Sequence, residues 1–157
     1  GPGDGLFARF GQMAMLAPAL PLVGGGRNRM QPVYVGDVAD SVVAALTGKA
    51  THGQIYQLGG PHIYSFADLM RFILKATERR RMLVSVPFAV MAIPAFFAGL
   101  LPNPPVTRDQ LKLLKTDNIC VKSAPGLAEL GITPTAIEAI VPEYLAAFRP
   151  GGRFTYR

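Results

Sequence analysis

The 157-residue chain has no tryptophan and a single cysteine, Cys120. A lone cysteine cannot close an internal disulfide, so the sequence carries no disulfide framework and no sign of an oxidising compartment. The simplest expectation for Cys120 is a small buried hydrophobe. Only two histidines are present, His52 and His62, and neither has a second histidine or a cysteine at metal-ligand spacing. There is no Gly-x-Ser-x-Gly elbow. The few carboxylates are dispersed, which does not suggest a paired acid and base. The opening GPGDGLFARF lacks the charged-then-apolar order of a signal peptide and reads as a mid-protein loop.

What is present points to one folded domain. Half of the residues are hydrophobic, enough for a core at this length. The net charge is +6. Only Arg79, Arg80 and Arg81 cluster, and aromatics do not interleave with the basic residues, so nucleic acid is not an expected partner.

Periodicity predicts a short helix within residues 5–17, closed by Pro18, and then a connector bracketed by Pro18 and Pro21. Gly24-Gly25-Gly26 leads to Arg27-Asn28-Arg29 and a strand-like 32–35. A phosphate-cradling loop passes directly from a strand into a helix, so these glycines read as a turn. Asp37 is placed to cap a helix carrying Val38, Val42, Val43 and Leu46. Residues 54–58 alternate as a strand does. Ser65 with Asp68 forms a capping box before a helical face of Phe66, Leu69, Met70 and Ile73. Another strand is expected at 83–86. The alternation over 33–86 is that of an α/β fold.

The most apolar segment runs from Leu83 to Leu101. Pro87 and Pro94 argue against a membrane span, leaving a buried or surface-docked helix at about 88–101. With Arg79, Arg80 and Arg81 upstream, Phe96 and Phe97 become candidates for a membrane or partner surface. A rigid linker at 102–105 and a capping box of Thr107 and Gln110 follow. Near the end, Ile137, Ile140, Val141, Tyr144, Leu145 and Phe148 keep helical period around Pro142, predicting a kink or two short helices. Residues 1–150 are taken as one portion and 151–157 as a loose tail.

Three stretches in succession, GPGDGLF, LPLVGGGRNRMQPVYVGDVADSV and GQIYQLGGPHIYSFADLM, resemble the C-terminal half of extended short-chain dehydrogenases, the NAD(P)-dependent epimerase/dehydratase family. PVTRDQLKLLKTDNIC and LGITPTAIEAIVPEYLAAFRP resemble the branch containing the nucleotide-binding accessory subunit of respiratory complex I and its bacterial relatives. The resemblance implies an extended Rossmann-type α/β fold, of which this chain is the C-terminal substrate- or partner-binding portion. The dinucleotide fingerprint and the Tyr-x-x-x-Lys pair would lie before GPGDG. No tyrosine here is followed four residues later by lysine, so no catalytic and no cofactor-binding residue is expected in this chain, and NAD(P) belongs to the longer parent.

In the sugar-nucleotide enzymes an arginine precedes the VYV stretch and holds a diphosphate. The matching residue here is Met30, with Arg27 and Arg29 out of register, which speaks against a sugar-nucleotide substrate. Arg27, Arg29, Met30 and His62 are the candidates for contacting a substrate or partner. Expected partners are the N-terminal Rossmann half, a second copy of the chain, and a respiratory complex or membrane surface. The expected place is the cytoplasm, with the periphery of the inner membrane as the alternative. The other function consistent with these residues is the substrate domain of an NAD(P)-dependent oxidoreductase or epimerase acting on something other than a sugar nucleotide.

Overall fold

The computed structural model describes residues 1, 5–48, 53–90, 113–121 and 123–152. The expected helix at 88–101 beyond its first three residues, the 102–105 linker, the Thr107–Gln110 capping box, Phe96, Phe97, His52 and the end of the tail lie outside them.

The elements in chain order are α1 (Phe7–Leu16), β1 (Ala19–Val23), β2 (Arg29–Met30), α2 (Val35–Thr47), β3 (Tyr64–Ser65), α3 (Phe66–Ala76), β4 (Met82–Val86) and α4 (Ile137–Leu145). β1 and β4 pair in parallel, from Ala19 opposite Met82 to Val23 opposite Val86. β2 and β3 pair antiparallel, Arg29 with Ser65 and Met30 with Tyr64. The segment at Asn118 extends this second ladder, donating to the Arg29 carbonyl at 2.8 Å and accepting from the Gln31 N–H at 3.0 Å.

α3 is the centre of the core. Its capping box is complete: the Ser65 hydroxyl accepts from the Asp68 N–H at 3.1 Å, and the Asp68 carboxylate reaches back to the Ser65 N–H. Phe66, Leu69, Met70 and Ile73 point inward, as their spacing predicts, and meet Leu20 and Leu22 of β1, Phe7 and Ala14 of α1, and Ile137, Val141 and Leu145 of α4. Gly11 is required where α1 crosses α4, because a β-carbon there would stand 2.9 Å from the Phe148 ring. α4 runs through Pro142 as one helix and then tightens into a single 3-10 turn at Ala146–Phe148.

Several expectations are corrected. The connector between Pro18 and Pro21 is strand β1. Pro21 sits opposite Val84 in a pairing that is two-stranded among the described residues, and edge strands are where a sheet tolerates proline. The strand expected at 32–35 is instead β2 at Arg29–Met30, and Val35 already opens α2. Asp37 is not the cap but sits inside the first turn of α2. Residues 54–58 form no ladder among the described residues, and Ile55 is 83% exposed.

α2 carries an inverted pattern. Asp37 and Ser41 face the protein, 5% and 4% exposed, while Val35, Val42, Val43 and Leu46 face outward, Leu46 at 82% exposure. The spacing of Val42, Val43 and Leu46 is helical, as the sequence suggests, but the stripe does not point to this chain's core.

Candidate functional site

β1 and β4 run side by side in the same direction, so their carboxyl ends open together. This is where open α/β sheets place ligands. β1 ends at Val23 and passes into a one-turn 3-10 segment, Gly24–Gly26, with φ of +62°, +75° and +66°. Three successive left-handed residues would strain any L side chain, which is why this turn is all glycine. β4 ends at Val86, and Phe88 folds over Gly24 so closely that a β-carbon there would run into its ring.

Between these strand ends lies a pocket of about 300 Å³, walled by Gly24, Arg27, Asn28, Phe88, Lys115 and Asp117. Lys115 Nζ stands 5.6 Å from the centroid of the Phe88 ring, a cation–π contact. Asp117 is turned to Arg29: its carboxylate accepts from the Arg29 backbone N–H at 2.7 Å and from the Arg29 Nε at 2.8 Å, with Nη2 at 2.7 Å. The Arg29 backbone N–H, and then its guanidinium, hold the Asp117 carboxyl below the usual carboxylate range. Asn28 has both side-chain amide atoms buried, and neither has a hydrogen-bond partner. Its backbone carbonyl is occupied, accepting from the Phe66 N–H at 2.9 Å.

Of the residues singled out from sequence, Arg27 lines this pocket and Arg29 braces its wall through Asp117. Met30 is half-buried against the core and does not line it. His62 is exposed and stacks edge-on to Tyr64 with centroids 6.3 Å apart, away from the pocket. Tyr64 donates to Glu138 at 2.8 Å, and burial first, then that carboxylate, pushes its phenol up to about 12.

The arginine run is partly built into the fold. Arg79 Nε donates to the Phe148 carbonyl at 2.7 Å and Arg81 Nε to the Ala14 carbonyl at 2.9 Å, each near a helix end where carbonyls lack partners. Arg80 is exposed. Among the described residues no helix is long and apolar enough to cross a membrane.

Sequence reasoning missed Asn28, Phe88, Lys115 and Asp117. An asparagine after glycines reads as a turn residue, and the other three come from segments far from it in the chain. A second cleft, also about 300 Å³, is bounded by Gln31, Gln57, Asn118 and Cys120. There the Gln31 amide accepts from the Cys120 N–H at 3.0 Å and donates to the Gly60 carbonyl at 2.8 Å. Cys120 is a free thiol, half-buried rather than buried. No group of three or more His, Cys, Asp or Glu among the described residues is placed to hold a metal ion.

No family model matches the chain. NADH dehydrogenase (ubiquinone) 1 alpha subcomplex subunit 9, mitochondrial, from Arabidopsis thaliana is 34% identical over 143 residues, covering 85% of this chain and 36% of the relative. The mouse subunit of the same name is 31% identical over 141 residues, covering 88% of this chain and 36% of its own length. The chain is a homologue of these subunits. The NADH-ubiquinone oxidoreductase 40 kDa subunit of Neurospora crassa is 26% identical over 129 residues, covering 80% of this chain and 34% of that subunit. This subunit 9 homologue therefore spans about a third of the length of the relatives it matches. The crystal structure of gox2253 overlays with a TM-score of 0.53 at 23% identity, covering 92% of this chain and 44% of that one, and supports the Rossmann-like α/β class.

Proposed function

We propose that this subunit 9 homologue is the substrate- or partner-binding portion of an NAD(P)-binding protein related to the NADH dehydrogenase accessory subunit, and that it performs no redox chemistry by itself. The residues present do not fit a dinucleotide. The glycine turn leads through Arg27 and Asn28 into β2, not into a helix whose free N–H groups could hold a pyrophosphate. NAD(P) binding is accordingly assigned to the part of the protein that this chain does not span, and association with a respiratory complex to the assembled protein.

The observation that carries the reading is α2. A helix that buries Asp37 and Ser41 and exposes Val35, Val42, Val43 and Leu46 is shaped to be covered from outside. Covering an exposed Val or Leu side chain contributes about 1.5–3 kcal/mol, so a stripe of four is costly to leave in water. Residues 54–58 follow α2 closely in sequence, and Ile55 among them is 83% exposed. Both features suit the sheet of a Rossmann half as the covering body.

The test is to add, in trans, the part of the Arabidopsis relative that this chain does not span, and to measure association. Binding that is lost in Val43→Glu/Leu46→Glu is the expected result. Equal association of wild type and variant would refute the docking role of α2.

A further inference from the structure

We propose that the pocket at the carboxyl ends of β1 and β4 binds a phosphorylated polyol, a phosphate oxyanion with a hydroxyl beside it. The proposal rests on reading this region as ligand-binding and adds the ligand's chemistry.

Charge comes first. Arg27 and Lys115 both line the pocket and are exposed, and the acid beside them, Asp117, is already claimed by three contacts from Arg29. The balance left for a ligand is positive. Asn28 then sets a second demand. Its Nδ2 and Oδ1 are both buried and unpaired. Leaving them so costs as much as the hydrogen bonds they do not make, and a ligand that supplies the partners recovers that cost. Nδ2 needs an acceptor and Oδ1 needs a donor. A bare phosphate dianion offers only acceptors, and a neutral polyol lacks the charge that Arg27 and Lys115 call for. A phosphate carried next to a hydroxyl satisfies all three side chains.

Shape agrees. Gly24 lines the pocket without a side chain, and the Phe88 ring lies over it, giving an apolar wall for the C–H face of a polyol. Both Asn28 amide atoms are shielded from solvent, so binding requires the pocket wall to open at Asn28. Met30 does not line this pocket.

The phosphorylated polyol has two sources, a soluble metabolite or the headgroup of a lipid. The experiment uses glycerol 3-phosphate, inorganic phosphate and glycerol by calorimetry, and phosphatidylglycerol vesicles by flotation, on the wild type and on Arg27→Ala/Lys115→Ala. Both substitutions are at exposed positions, and circular dichroism checks the fold. Glycerol 3-phosphate is expected to bind about tenfold more tightly than inorganic phosphate, with a loss of about tenfold in the double variant. Asn28→Asp, which replaces the amide donor with a negative charge, is expected to abolish the preference. Flotation that depends on Arg27 and Lys115, without soluble binding, assigns the headgroup to lipid and supports the same pocket. The proposal is overturned if the soluble ligands bind but glycerol 3-phosphate binds no better than phosphate, if binding or flotation is unchanged in the double variant, or if neither soluble ligand nor vesicle binds. Val43→Glu/Leu46→Glu leaves the pocket walls intact, so loss of docking and loss of ligand binding are scored separately.

Discussion

Asp37 holds Thr135 twice, across 98 residues of chain: its carboxylate accepts from the Thr135 backbone N–H at 2.6 Å and from the Thr135 hydroxyl at 2.8 Å. This is what the buried acid in the first turn of α2 is for. It ties the approach to α4 onto α2, so the face of α2 that would carry apolar residues in an ordinary helix is occupied by a polar clamp. Hydrogen bonds to a charged group are worth about 1.5–3 kcal/mol each. Asp37→Ala is expected to lower stability by about that amount or more, and Thr135→Val by less, because its backbone N–H remains. Additive losses in the double variant, measured by urea unfolding, would show that the two residues do not act together.

The glycine turn makes a ranking prediction. A β-carbon on Gly26 would stand 2.9 Å from the Ala67 backbone nitrogen, whereas Gly25 has only the Ser85 hydroxyl and the Arg27 side chain near, at 3.6 and 3.9 Å. Both have positive φ, which costs an L residue about 1–2 kcal/mol. Gly25→Ala is expected to lose about that much. Gly26→Ala should lose more, since backbone has to move. Equal melting temperatures for the two variants would contradict this account of the turn.

The Arg29–Asp117 pair should contribute to acid sensitivity. The folded pKa of Asp117 is depressed, so its contribution is present above the ordinary value of about 3.9 and is lost as the pH falls through the lower folded value. The largest cause is the Arg29 backbone N–H, which Arg29→Ala keeps. The carboxyl titration of Asp117, followed by NMR, should therefore move only part of the way back in Arg29→Ala. A midpoint that does not move, or that returns fully, would reject the assignment of causes.

Arg79 and Arg149 should matter to stability even if they never touch a membrane. Arg79 donates to the Phe148 carbonyl while Arg149 donates to the Ala76 carbonyl at 3.0 Å, so the ends of α3 and of the turn after α4 cap one another. Arg80 has no such role. Arg79→Ala is expected to destabilise by about 1 kcal/mol or more and Arg80→Ala by less than about 0.5 kcal/mol. Equal losses in thermal unfolding would remove the distinction.

Local signals in the sequence were read well where one short segment decides the structure. The Ser65–Asp68 capping box and the Phe66, Leu69, Met70, Ile73 face need only nine consecutive residues, and both stand as predicted. β1 was hidden because its prolines read as a connector, and only pairing with a strand 63 residues later makes it a strand. The pocket was hidden for the same reason. Arg27 was legible as a charged residue near a turn, but its companions Phe88 and Lys115 arrive by tertiary folding. The direction of the α2 stripe could not be read from spacing, because periodicity gives a face and not what the face meets.

The proposed docking of a Rossmann half falls on α2, with residues 54–58 beside it in sequence. Hydrogen exchange, read with and without the part of the Arabidopsis relative that this chain does not span, tests it most directly. Slowed exchange is expected along α2 and at residues 54–58 other than Gln57, whose N–H already donates to the Pro125 carbonyl at 2.9 Å, with little change in α3. Unchanged exchange at 54–58 and α2 when the two parts are bound together would contradict it.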